Sequence, residues 1–104
     1  MKYIIRYKNK VIGITALEGG DPPMGFVFGM LEPTVFYTAD IDKVHLSLCT
    51  DETNEEIACK SIMFDDYSAD LGEQCIEVTV LVESAEEYAK FFKHHLDAYE
   101  KQFG

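Results

Sequence analysis

Hydrophobic spacing changes period at Glu83–Ser84, and that change constrains the fold more than any other feature of the sequence. Before it, Ile76, Val78, Val80 and Val82 recur at every second residue. That spacing puts all four side chains on one face of a β-strand. After it, Tyr88, Phe92, Leu96, Tyr99 and Phe103 recur at spacings of four, four, three and four, which is one stripe of an α-helix. Ser84 and Glu87 stand where a capping box places its two side chains. Glu86 and Glu87 suit the positive end of the helix dipole. Lys101 suits the other end, and Gly104 follows as a cap. The pattern predicts one helix from Ser84 to Phe103 laid by its aromatic face over a sheet. Burial of several Phe and Tyr side chains, at roughly 1.5–3 kcal/mol each, would make that helix a main source of stability.

The rest of the chain reads as strands joined by short links. Residues 3–7 and 11–17 are β-branched and aromatic around Lys8-Asn9-Lys10, which predicts an N-terminal hairpin. Gly13 within the second strand marks a bulge or a close backbone approach. Glu18 to Met24 holds two glycines and two prolines and reads as a stiff loop. Residues 25–31 read as a buried strand, with Phe26, Phe28 and Met30 on one face and Val27, Gly29 and Leu31 on the other. Residues 34–37 fit a short strand or a first helical turn. The alternation from Val44 to Cys49 predicts a further strand. Residues 57–64 fit a strand better than a helix, and Asp65 to Gln74 reads as a loop. With 104 residues, the chain is expected to form a single α+β domain over 1–104. Its sheet should be mostly antiparallel, with an N-terminal hairpin and the C-terminal amphipathic helix packed on one face.

Charge bears on function. Between Asp40 and Glu87 there are fourteen acidic residues and two basic ones, Lys43 and Lys60, while the chain as a whole carries a net −10. Such a field repels nucleic acid and anionic membrane and attracts cations and basic protein surfaces. No apolar run reaches the ~18 residues of a membrane span. Cys49, Cys59 and Cys75 form no Cys-x-x-Cys spacing, and together with the N-terminal sequence they fit a cytoplasmic protein with reduced thiols. Glu55 and Glu56 lie close to Cys59 and should raise its thiol pKa, which opposes a nucleophilic role.

Candidate chemistry is sparse. Asp65, Asp66, Asp70 and Glu73 crowd one stretch, as calcium loops do, but the alternate spacing of an EF-hand is missing and a solvated acidic loop is the better reading. His94 and His95 are sequence neighbours about 100° apart on a helix and do not readily share a metal. His45 stands alone. No glycine-rich phosphate loop and no cofactor signature is present. Asp21, Pro22, Pro23 and Met24 form the least generic stretch. It fits a binding loop, or a structural turn in which Asp21 caps backbone donors, and the structural reading is the stronger.

Val11-Ile12-Gly13, Leu17-Glu18, Gly20-Asp21-Pro22-Pro23-Met24-Gly25, Gly29, Pro33 and Tyr37 resemble the N-terminal part of a group of small, uncharacterised bacterial proteins with a Gly-Asp-Pro-Pro-Met-Gly signature. The resemblance covers about a third of the chain. It implies a bacterial source and supplies no catalytic residue. The functional expectation is a non-enzymatic, immunity- or antitoxin-like module. It would dock on a basic protein partner through Asp51, Glu52, Glu55, Glu56, Asp65, Asp66 and Asp70. The alternative is a small-ligand or divalent-cation-binding domain. A homodimer is a further expectation, and residues 25–31 fit either a core element or a dimer surface.

Overall fold

A computed structural model describes residues 1–38, 40, 41 and 43–103, Lys43 by its backbone alone. In chain order it contains β1 (Tyr3–Tyr7), β2 (Lys10–Thr15), β3 (Gly19–Asp21), a 3-10 turn (Pro22–Met24), β4 (Phe26–Pro33) and a second 3-10 turn (Lys43–His45). Then come β5 (Leu46–Thr50), β6 (Glu56–Ile57), β7 (Cys59–Asp66), the short helix α1 (Ser68–Leu71), β8 (Ile76–Val82), α2 (Ala85–Phe91) and α3 (Lys93–Phe103). Every strand pairing among the described residues is antiparallel. The α+β architecture with an N-terminal hairpin and C-terminal helical packing is the one the hydrophobic pattern predicts.

The strands run in the order β6-β5-β1-β2-β4-β8-β7, with β3 added on β4. The two ends of that order, β6 and β7, are separated in sequence by Ala58 alone. The sheet therefore curls until its extremities meet at one residue. Ala58 is held on both sides: its N–H donates to Glu87 Oε2 at 2.8 Å, and its carbonyl accepts the Glu83 N–H at 3.0 Å. In the β1–β2 hairpin, Ile5 pairs with Gly13 and Arg6 with Val11, which leaves Ile12 as the extra residue of a bulge. A Cβ on Gly13 would collide with the Leu31 side chain, so the bulge and the close approach expected there coincide.

The core fills the inside of this curl. Ile76, Val78, Val80 and Val82 of β8 all point inward, and they meet Val27 and Leu31 of β4, Tyr3 and Ile5 of β1, Leu48 of β5 and Ile57 of β6. Tyr88 and Phe92 close it: the Phe92 ring lies 5.2 Å from Tyr3 and 5.6 Å from Tyr88, centroid to centroid.

Several expectations are corrected. The C-terminal segment is two helices, broken at Phe92, whose φ of −127° and ψ of 33° are not helical. The break lets α2 lower Tyr88 and Phe92 into the core while α3 turns to pack on β3 and the Pro22–Met24 turn. The far half of the stripe passes beyond that support, leaving Tyr99 and Phe103 exposed. Ser84 caps as expected, its Oγ accepting the Glu87 N–H at 3.1 Å, but the Glu87 carboxylate goes to Ala58 rather than back to the cap. Gly104 lies outside the described residues.

The segment Glu18–Met24 is less of a loop than expected. Gly19–Asp21 pairs with β4, and the prolines form the 3-10 turn, closed by Gly25 at φ 80°. Asp21 makes no side-chain capping hydrogen bond there. Val44 and His45 belong to the second 3-10 turn, and the strand begins at Leu46. Residues 34–37 form a turn, with Tyr37 N–H donating to Thr34 carbonyl at 3.1 Å. The Asp65–Gln74 stretch continues β7 to Asp66 and then makes α1 before Gly72 at φ 71° ends it.

Candidate functional site

The largest departure from the expected burial lies on β4. Its small and branched face, Val27, Gly29 and Leu31, points into the core, and its bulky face points out. Gly29 permits this, because a Cβ there would stand 3.0 Å from the Leu17 backbone and 2.6 Å from Glu18 Oε2. The cross-strand register then lays three rows over the outer surface. Phe26 is opposite Leu81, which is opposite Ser61. Phe28 is opposite Thr79, then Met63. Met30 is opposite Glu77, then Asp65. At standard strand spacings the nine positions cover about 10 by 13 Å.

Phe28, Met30 and Met63 remain 38%, 45% and 41% exposed. The Phe28 ring rests on Gly19, where a Cβ would collide with it. The aromatic side chain is thus seated by a glycine on the neighbouring strand. Glu77 and Asp65 stand directly opposite each other at the rim. Like charges in that arrangement destabilise a sheet. Their field is felt nearby: the Tyr67 hydroxyl is pushed up by Asp65 first, then by burial and by Glu77.

The seven carboxylates expected to form one docking cluster fall into two groups. Asp51, Glu52, Glu55 and Glu56 lie at the β5–β6 turn. Asp65, Asp66 and Asp70 lie at the far end of β7 and on α1. Eight residues of nearly continuous strand lie between Glu56 and Asp65, a span of about 30 Å at the usual rise. Glu55 pairs with Lys90 at 3.0 Å. Asp66 accepts the Ser68 N–H at 3.0 Å and the Tyr37 hydroxyl at 3.4 Å, and these bonds, Ser68 first, hold it below the usual carboxylate range. Among the described residues the other five are in no ion pair. Glu83 and Glu87 join Glu56 around Cys59, a grouping invisible in the sequence.

Asp21, Pro22, Pro23 and Met24 are built into the scaffold. Gly25 N–H donates to Pro22 carbonyl at 3.1 Å, and Gly25 carbonyl accepts Val82 N–H at 2.9 Å. Met24 is exposed at the tip. The Tyr88 hydroxyl donates to Phe26 carbonyl at 3.0 Å, and burial, followed by the Asp21 charge, pushes it up to about 12.

Burial, then Glu87, Glu56 and Glu83, push the Cys59 thiol up to about 12, so it stays protonated. The buried His95 is bonded through Nε2 to Leu17 carbonyl at 2.8 Å. His94 lies 4.3 Å from it, ring to ring, and burial, then His95, lower its pKa. Among the described residues no group of three or more His, Cys, Asp or Glu side chains is placed to hold a metal ion, the Asp65–Glu73 stretch included. No described helix is long and apolar enough to cross a membrane. No protein-family model matches the chain, nor does any curated protein or solved structure.

Proposed function

We propose that this chain is a non-enzymatic acidic interaction module, of immunity- or antitoxin-like kind, that docks on a basic partner protein. The observation that carries this reading is the outward face of β4, β8 and β7. Phe28 and Met63 lie there in one cross-strand row with Thr79 between them, Met30 lies two residues along β4 from Phe28, and Asp65 and Glu77 border the group. Aromatic residues and methionine are enriched at the centres of protein interfaces, and contiguous apolar patches rimmed by polar groups mark such sites. Two carboxylates held face to face cost stability in the free protein. A cationic group on a partner would offset that cost. The bacterial source implied by the Gly-Asp-Pro-Pro-Met-Gly resemblance is part of the same proposal.

The test is affinity capture with wild-type protein and with the Phe28→Ser/Met63→Ser variant, both shown to be folded by circular dichroism. The expected result is a basic polypeptide retained by the wild type, released by raised salt and absent with the variant. Retention by the variant, or binding indifferent to salt, refutes the reading.

A further inference from the structure

At the corner where the sheet closes, two strand edges pair with no further strand among the described residues. β5 pairs with β1 along its length but with β6 only at Leu48 and Cys49, so the outer edge at Leu46 and Ser47 is open. Among the described residues β7 pairs with β8 alone, so its other edge from Cys59 to Ile62 carries no paired strand, although β7 packs against β5 and the Lys43–His45 turn. Among the described residues no backbone hydrogen bond joins these edges. They line a cleft of about 360 Å³, with Ala58 at its corner and Val44 on its wall.

An open strand edge presents alternating N–H and carbonyl groups. An extended backbone is the ligand that meets such a row at matching spacing, while side-chain surroundings select its sequence. Here those surroundings are acidic. Glu56 lines the cleft, and Glu83 and Glu87 are hydrogen-bonded to Ala58 at its corner, Glu83 through its backbone N–H and Glu87 through its carboxylate. Glu87 spends one oxygen on Ala58 N–H. Among the described side chains the cations of this region are Lys60, in the wall, and Lys90, which is paired with Glu55.

We propose that this cleft receives an extended basic segment of the partner protein as an added strand, with a Lys or Arg side chain set among Glu56, Glu83 and Glu87. The inference rests on the interaction-module reading and gives it a second contact, distinct from the Phe28 face. A second copy of this chain is the poorer occupant, because its acidic surface would meet three carboxylates.

The experiment is an NMR titration of the full chain with a short, terminally blocked peptide of alternating Lys and Val. Two controls accompany it: the same peptide with Glu for Lys, and the Lys–Val peptide with alternate amides methylated. The expected result is a shift of the amides of Leu46, Ser47 and Lys60 with the Lys–Val peptide alone. The Glu56→Gln/Glu83→Gln variant should bind it about tenfold more weakly. Shifts confined to Phe28, Thr79 and Met63 overturn the cleft while leaving the module reading intact. The same holds if no shift appears at millimolar peptide, since partner capture through the Phe28 face is read separately. Cleft shifts that grow with protein concentration alone overturn the basic segment and assign the cleft to self-association.

Discussion

Adding one methyl group at Gly20 tests how the helices are fastened to the sheet. A Cβ there would stand 2.7 Å from His95 Cγ and 2.9 Å from the Tyr88 hydroxyl. Neither group yields freely, because His95 is bonded to Leu17 carbonyl and Tyr88 to Phe26 carbonyl. Overpacking of this kind costs roughly 1–3 kcal/mol, and displacing either ring forfeits a hydrogen bond of roughly 0.5–1.5 kcal/mol. Gly20→Ala should therefore lose about 2–4 kcal/mol. In a domain of this size that lowers the melting temperature by roughly 10–30 °C. Urea denaturation followed by far-ultraviolet circular dichroism would show the midpoint falling with an unchanged slope. The His95→Ala background supplies the internal control, since removing the ring should reduce the cost of Gly20→Ala by at least about 1 kcal/mol. A loss below about 1 kcal/mol in the wild type, or equal losses in both backgrounds, would show that α3 is not fixed through this contact.

Phe92→Ala removes the ring at the helix break, and it should cost roughly 3–5 kcal/mol in the same assay. Phe103→Ala belongs to the same sequence stripe, yet it should change stability by less than about 0.5 kcal/mol because its side chain is exposed. Alkaline pH tests the Cys59 environment. Its folded pKa of about 12 lies above the ordinary 9.0, so the unfolded chain gives up the proton first. Stability from this group is complete below about pH 9 and falls as pH rises towards 12, by up to about 1.4 kcal/mol per pH unit. Chemical denaturation at about pH 8 and pH 10 should show that fall in the wild type and a smaller one in Cys59→Ala, and equal slopes would refute the assignment.

The sequence disclosed elements more readily than it disclosed directions. The strand over Ile76–Val82, the hairpin at Lys8–Asn9 and the Ser84 cap were legible because each depends on residues within a turn or two of one another. The strand preference for 57–64 held for the same reason. The helix break at Phe92 was hidden, since an aromatic stripe with helical spacing gives no sign of where the sheet beneath it ends. The outward face of β4 was half legible. Alternation grouped Phe26, Phe28 and Met30, but the apolar run over 25–31 read as a strand buried as a whole. Gly29 on the opposite face was the available signal, because a glycine among core residues marks a close approach of another backbone. Met63, Thr79 and Glu77 joined that face only through cross-strand register, which no local pattern encodes. The acidic residues misled for a related reason, as closeness in sequence along an extended strand becomes separation in space.

Ala58 has a consequence for how the molecule comes apart. Its amide and carbonyl are both held by the Glu83–Glu87 segment, where β8 gives way to α2, and the chain on either side of it supplies opposite extremities of the sheet. Fraying that begins at β6 must therefore loosen the grip on β7 and on the helix cap in the same event. The Ala58 amide hydrogen should exchange more slowly than the amides of the open strand edges beside it. A single small residue thus binds periphery and centre into one cooperative unit.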